Sequence, residues 1–247
     1  MERRIQAMTW KDFERFKDAA VIVPIGSTEQ HGPHLPLSVD AIISTGLAEM
    51  IAEKINGIVA PTIHYGYKSA PLSGGGPIFP GTIDLNGITL MSLVKDVLEE
   101  FIRDGMKKIL VVNGHYENEA FILEAIDLLS RQYPDVKFVE ASWWDQISEE
   151  AMAKVFDKVE FPGWALEHAA IAETSLTLYF APELVHMDRL VEDGVKEVLT
   201  YHVYPAPKEI VPETGLLATA RTSSAEKGKL LAEDITKNYV KVALKEF

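Results

Sequence analysis

Cysteine is absent from this sequence of 247 residues. The chain therefore has no disulfide, no thiol nucleophile and no thiolate metal ligand. Any metal site has to be built from the nitrogen of histidine and the oxygens of aspartate and glutamate.

Positive charge and long apolar runs are also scarce. Lys and Arg total 24 against 37 Asp and Glu, so the net charge is −13. An acidic surface argues against a nucleic-acid partner. No stretch reaches the roughly 18 apolar residues of a membrane span, and the first ten residues lack the apolar segment of a signal peptide. We therefore expect a cytoplasmic protein with neither a nucleic-acid nor a membrane partner.

The order of predicted elements indicates an α/β fold. With no repeats and no convincing linker, we predict one domain over residues 1–247. Short apolar runs predict strands, and segments of helical periodicity between them predict helices. The strands are expected at 20–25, 58–61, 108–112 and 136–141, with short edge strands in the irregular region 186–222. The helices are expected at 10–19, 41–55, 88–104, 119–132, 167–180 and 224–244, with one of about ten residues after Asp145. This alternation predicts a three-layer sandwich in which helices cover both faces of a mostly parallel sheet.

The loop that follows the first predicted strand carries a dense group of reactive side chains. Glu29, His31 and Asp40 lie here among glycines and prolines. Two carboxylates and an imidazole this close are ligands that suit a divalent cation such as Zn or Mn. The alternative is that Asp40 only caps the next helix and that the histidine faces solvent.

Two further strands end in similar loops, and one helix adds more candidates. Because parallel strands end at the same edge of a sheet, we expect these side chains to lie close together. Those after 108–112 are His115, Tyr116 and Glu117; those after 136–141 are Trp143, Trp144 and Asp145; and those on helix 167–180 are Glu167, His168 and Glu173.

Five of these residues form a candidate metal set with nitrogen and oxygen ligands only, namely Glu29, His31, Asp40, His115 and Glu117. Such a set suits two divalent metals bridged by a carboxylate and a water, and the bridging hydroxide can hydrolyse an amide, ester or phosphate. Each residue also has a structural interpretation. Glu117 favours the positive start of a helix, His168 and Glu173 suit a helix surface, and the tryptophans suit a core. Because most of these residues follow the ends of strands, the functional interpretation is favoured over the structural one.

Three motifs resemble those of the creatininase (creatinine amidohydrolase) family. They are residues 26–40, 113–118 and 167–175, and the similarity runs from about residue 9 to 245. Residues 65–69 and 73–82, Tyr116, Trp144 and Trp164 resemble creatininase itself. Pro33 and Ala165 depart from it, since the creatininase motifs carry a histidine and an aspartate there, and this leaves the substrate open.

The resemblance implies a role for each candidate. It implies that Glu29, Asp40 and His115 hold one metal ion. It implies that His31, Asp40 and Glu117 hold a second ion, each ion being Zn or Mn. Ser73 and Tyr116 would lie beside the substrate, Trp144 and Trp164 would wall the pocket, and His168 would transfer the proton. Glu173, which could orient His168, and Glu117 are the other catalytic candidates. The family also implies a homohexamer.

These observations predict a hydrolase that acts on a cyclic amide. The predicted reaction is the reversible conversion of creatinine and water to creatine, in which a metal-bridging hydroxide attacks the lactam carbonyl. Two alternatives stay open. One is another amidohydrolase of the same family that acts on a formamide or a small peptide, and the other is a metal-binding module without catalysis.

Overall fold

The computed structural model describes residues 2–70, 78–195, 201, 203–204 and 211–247. Four strands alternate with helices along these ranges. The strands are β1 (Val21–Ile25), β2 (Ile58–Val59), β3 (Lys108–Asn113) and β4 (Lys137–Ser142). The α-helices are α1 (Trp10–Phe13), α2 (Val39–Ile55), α3 (Gly87–Arg103), α4 (Glu119–Gln132), α5 (Glu149–Val155), α6 (Ile171–Phe180) and α7 (Ala225–Glu246).

The sheet is parallel throughout and has the strand order β2-β1-β3-β4. Val21 of β1 pairs with Ile58 on one side and with Ile109 on the other. All five residues of β1 are buried, which is typical of a central strand covered on both faces. The parallel sheet expected from the sequence is confirmed.

Successive side chains of a strand point to opposite faces of the sheet, and the two faces have separate cores. Ile22, Leu110 and Val112 pack in one cluster with residues of α2, α6 and α7. Val23 and Val111 pack in the other cluster with residues of α3 and α4. Helices therefore cover both faces, and the predicted three-layer sandwich is confirmed.

The helix predicted at 167–180 begins later, at Ile171, so its predicted start was wrong. Ala169 has a φ of 55° and Ala170 is extended, and neither conformation continues a helix. Glu173 Oε2 accepts a hydrogen bond from Ala169 N at 2.6 Å. Glu167 and His168 therefore lie on the turn before α6. Helical periodicity does not determine the direction of side chains on this turn.

Other elements are shorter in the structure than the sequence predicted. The strand at 58–61 spans only Ile58–Val59, because Pro61 has no N–H for a ladder. The helix at 10–19 is α1 followed by a 3-10 turn, Glu14–Phe16. The helix after Asp145 is the seven-residue α5. In the described part of 186–222 there is no strand.

The described residues were also searched for a transmembrane helix. None of the helices they form combines the length and the apolar character that a bilayer span requires.

Glu140 is an acidic residue within β4, and its Oε1 is buried without a hydrogen-bond partner in the described part of the chain. Burial, together with the nearby carboxylates of Glu119 and Asp145, raises the pKa of Glu140 to about 8. The folded protein therefore holds a proton that the unfolded chain releases above its ordinary pKa of 4.5. Stability should fall as pH rises through this window.

We expect the substitution Glu140→Gln to remove this loss of stability at rising pH. Between about pH 5 and 8 the free energy of unfolding of the native protein should fall more steeply than that of the variant. Above pH 8 the variant should be more stable by about 1 kcal/mol or more, because it has no negative charge to bury beside Glu119 and Asp145. Urea titrations at several pH values measure this. The control is Glu124→Gln, on the exposed side of α4. If the free energy of unfolding changed with pH in the same way for the native protein and for Glu140→Gln, the raised pKa of Glu140 would be contradicted.

Candidate active site

The carboxyl ends of β1 and β3 bring the predicted metal ligands together. The loop after β1 carries two of them, the first turn of α2 carries one, and the loop after β3 carries one. All four are shut off from solvent, with exposed fractions of 2% for Glu29, 1% for His31, 1% for Asp40 and 2% for His115. Buried charged groups are rare unless they pair with one another or bind metals.

Main-chain carbonyls fix the orientation of both histidines. His31 Nδ1 lies 3.2 Å from Glu29 O, and His115 Nε2 lies 3.0 Å from Tyr67 O. A carbonyl oxygen only accepts, so each of these nitrogens carries the proton. The second nitrogen of each ring then faces the carboxylates. His31 Nε2 is 3.2 Å from Asp40 Oδ1, and His115 Nδ1 is 3.1 Å from Glu29 Oε1. A hydrogen bond from one ring nitrogen to a main-chain carbonyl is typical of histidines that bind metal through the other nitrogen.

The buried atoms at the centre lack ordinary partners. Glu29 Oε2, His31 Nε2 and Asp40 Oδ2 make no hydrogen bond of suitable geometry within the described ranges. One ligand atom from each of Glu29, Asp40 and His115 lies within 4.8 Å of the others. Nitrogen and oxygen donors in this arrangement suit Zn²⁺ or Mn²⁺. The residues present therefore fit a divalent cation.

The electrostatics of the cluster support the same conclusion. Burial favours neutral histidine, but Asp40 and Glu173 outweigh it and hold the pKa of His31 well above its usual value. Glu29 and Asp40 do the same to the pKa of His115. The neighbouring carboxylates therefore favour the protonated form of both imidazoles. A cation has to displace these protons, so its affinity should fall as pH falls.

Glu117 and Glu173 each lie beside one histidine of the cluster. Glu117 Oε1 accepts a hydrogen bond from Ala70 N at 2.8 Å. Its Oε2 lies 3.3 Å from His115 Nε2, the ring nitrogen that faces away from Asp40. Glu173 Oε2 is 3.6 Å from His31 Nε2, and it forms a group with His31 and Asp40 whose ligand atoms lie within 4.8 Å of one another. Glu173 thus faces His31, and the role of Glu117 as a ligand stays a prediction.

His168 lies beside the metal-ligand group, and its ring centre is 4.4 Å from that of His31. Its Nε2 lies 2.8 Å from Gln30 O and 2.9 Å from Gln30 Nε2. We assign the Nε2 proton to the carbonyl of Gln30, because that oxygen can only accept. His168 Nδ1 is then the free nitrogen, 3.9 Å from Glu29 Oε1. This places a basic atom of His168 at the edge of the cluster.

Aromatic rings form the outer wall. The ring centre of Tyr116 is 5.6 Å from that of Trp144, and the ring centre of Trp143 lies 5.7 Å from that of Trp164. The cavity between this wall and the carboxylates has a free volume of about 30 Å³, which is room for about one water molecule. A planar ligand therefore requires the aromatic wall to move outwards.

The remaining candidates divide into three groups. Ser73 lies outside the described residues. Asp145 is exposed and does not line the cavity. Trp143 and Glu167 do line it. The sequence placed both among the candidates at this edge of the sheet but assigned a role to neither.

The chain matches known proteins over nearly its whole length. A family model described as creatininase, creatinine amidohydrolase, matches residues 6–243. Creatinine amidohydrolase of Pseudomonas putida is 38% identical over 97% of this chain and 95% of its own. The mycofactocin precursor peptide peptidase of Mycolicibacterium smegmatis is 31% identical over 85% of this chain and 78% of its own.

Solved structures give the same result. A crystal structure of a creatinine amidohydrolase (creatininase) superposes with a TM-score of 0.96 at 36% identity, and the match covers 100% of this chain and 98% of the other. Similar creatininase structures include a Zn-Zn form, a Mn form and a mutant complexed with creatine. With the matched motifs lining one buried donor cluster, the chain belongs to the creatininase family of amidohydrolases.

Proposed function

We propose that this protein catalyses the reversible conversion of creatinine and water to creatine. The observation that carries the proposal is a buried nitrogen and oxygen donor cluster, Glu29, His31, Asp40 and His115, that opens onto an aromatic wall. The similarity to the Pseudomonas putida creatinine amidohydrolase supports this choice of substrate.

The proposed cofactor is a pair of divalent ions, Zn or Mn, in each chain. Glu29, Asp40 and His115 would hold one ion. His31 and Asp40 would hold the other, with Glu117 or Glu173 as the third ligand. Bound there, such ions polarise a carbonyl oxygen and lower the pKa of a water to about 7. The Zn-Zn and Mn forms of similar creatininases support this pair of metals.

The side chains around the cluster position the substrate and move the proton. Trp144 and Trp164 offer flat faces on which a planar ring stacks. Tyr116 packs against Trp144, and with Ser73 it would lie beside the substrate. His168 Nδ1 is the proposed proton donor to the leaving ring nitrogen, and in the reverse reaction it takes that proton back. The small cavity excludes bulk water, which strengthens each electrostatic contact inside it.

A second candidate is hydrolysis of a small peptide or a formamide. The similarity to the mycofactocin precursor peptide peptidase favours it, and Ala165 and Pro33 depart from the creatininase motifs. The flat faces of Trp144 and Trp164 argue instead for a planar substrate.

A substrate panel with the metal-loaded protein separates these candidates. We expect hydrolysis of creatinine, formation of creatinine from creatine, and at least tenfold lower kcat/KM on formamides and short peptides. A preference for a formamide or a peptide would replace the proposed substrate. Two bound ions with no hydrolysis of any amide would favour a module without catalysis.

The oligomeric state, the location and the domain organisation are also proposals. The homohexamer rests on the resemblance to the family. The cytoplasmic location rests on the composition of the sequence. The family match over residues 6–243 supports one amidohydrolase domain over residues 1–247.

A further inference from the structure

His34 and Thr174 form a buried polar contact that the proposed reaction does not use. Both side chains are shut off from solvent. His34 Nε2 lies 3.0 Å from Thr174 Oγ1, and this contact joins the loop after β1 to the beginning of α6. His34 Nδ1 has no hydrogen-bond partner among the described residues. The ring therefore acts through Nε2 alone.

The hydrogen bonds of the Thr174 hydroxyl have a defined direction. Burial and the nearby His31 lower the pKa of His34 to about 4, so near neutral pH the ring is uncharged and carries one proton. Thr174 Oγ1 also lies 3.3 Å from Ala169 O. A carbonyl oxygen only accepts, so the hydroxyl donates its one proton to Ala169 O and accepts a hydrogen bond from His34 Nε2. The ring of His34 is thus linked to the backbone of Ala169 through Thr174.

Ala169 is the residue in this chain of hydrogen bonds that needs support. Its φ is 55°, in the left-handed region that is unfavourable for a residue with a Cβ. Such a conformation persists where the surrounding structure fixes it. Here the backbone of Ala169 is held on both sides. Glu173 Oε2 accepts a hydrogen bond from Ala169 N at 2.6 Å, and Thr174 Oγ1 donates to Ala169 O. His34 orients the second of these two bonds.

The same contact fastens the turn before α6 to the loop that carries predicted metal ligands. His168 comes directly before Ala169, and its Nε2 lies 2.8 Å from Gln30 O on that loop. His34 provides a second attachment further along the loop. One attachment leaves the turn free to rotate about it, whereas two fix both its position and its orientation. The distance of 3.9 Å between His168 Nδ1 and Glu29 Oε1 depends on this orientation.

We propose that His34 is a positioning residue for proton transfer by His168. Its hydrogen bond to Thr174 holds the left-handed turn, and the turn sets the place of His168 Nδ1 beside the donor cluster. The inference rests on the proposed function, in which His168 gives a proton to the leaving nitrogen. It does not depend on which amide is the substrate.

The variant Thr174→Val tests the proposal, because valine is close to threonine in shape and lacks the hydroxyl. In the metal-loaded enzyme, with the best substrate of the amide panel, we expect kcat to fall about tenfold or more, because a small misplacement of a catalytic group has effects of this size. KM and metal content should stay close to native. Thr174→Ser keeps the hydroxyl and should keep most of the native kcat.

Two variants of His34 repeat the test from the other end of the hydrogen bond. Glutamine in His34→Gln offers an N–H donor in place of Nε2, whereas His34→Leu offers none. We expect His34→Gln to retain several times more kcat than His34→Leu. Equal kcat values for the two variants, each folded and loaded with metal, would overturn the role of His34.

A double-mutant cycle separates positioning from a structural role. If Thr174 acts through His168, Thr174→Val should lower kcat in the native background and change it little in the His168→Ala background. The matched control is Thr177→Val on the same helix, since the Thr177 hydroxyl donates to Glu173 O at 2.8 Å and not to the turn. This control should leave kcat close to native.

Two results of the cycle would overturn the inference. One is an equal loss of kcat in both backgrounds, and the other is native kcat in a folded Thr174→Val enzyme with its metal bound. A native enzyme that binds two metal ions and hydrolyses no amide of the panel would instead overturn the proposed function, and this inference with it.

Discussion

Replacing Asp40 by Ala is expected to remove more than one metal ion from each chain. Asp40 Oδ1 lies 3.2 Å from His31 Nε2, and Asp40 Oδ2 lies 3.2 Å from His115 Nδ1. One carboxylate therefore faces both groups of ligands. A native content of about two ions per chain should fall below one, and hydrolysis should fall to background. Elemental analysis after loading with Zn or Mn measures the effect.

The control for this variant is Asp127→Ala, an aspartate on α4 that pairs with Arg131 at the surface. It should keep the native metal content and rate. If Asp40→Ala folds and loses one ion only, Asp40 is not the bridge between the two positions. If it retains both ions, the donor cluster is not the metal site.

Replacing His168 by Ala should lower kcat about 10²–10⁴-fold, the usual contribution of a positioned acid or base. The free Nδ1 lies at the edge of the cluster, while the opposite nitrogen is tethered to Gln30 O. Metal content and melting temperature should stay close to native. Steady-state kinetics, elemental analysis and a melting curve on one preparation therefore separate three roles for His168.

Each role predicts a different result for His168→Ala. A metal ligand, which the grouping with Glu29 and His31 also permits, would lower the metal content. A structural residue would lower the melting temperature and leave kcat of the folded fraction near native. The exposed His186 gives the control His186→Ala. Full kcat with both ions bound would show that another group, Glu117 or Glu173, moves the proton.

The sequence predicted those parts of the site that follow from topology. Parallel strands end at one edge of the sheet, so the loops after β1, β3 and β4 had to meet there. Helix 119–132 was predicted with the bounds that α4 has, because an apolar stripe and strong helix formers agree over its whole length.

Rotamers and local backbone conformations could not be predicted in this way. The sequence placed Glu117 in the metal set but did not indicate that its Oε1 accepts a hydrogen bond from Ala70 N. Glu173 faces His31 because the left-handed Ala169 delays the start of α6. Such contacts join segments distant in sequence, and periodicity carries no information about them.

One titration tests the central claim most directly. Metal-free protein is titrated with Zn or Mn while the rate of creatinine hydrolysis is followed. We predict no hydrolysis at the start and a rate that rises to a plateau at about two ions per chain. Full hydrolysis before any metal is added, or no hydrolysis once two ions are bound, would contradict an amidohydrolase that works through this cluster.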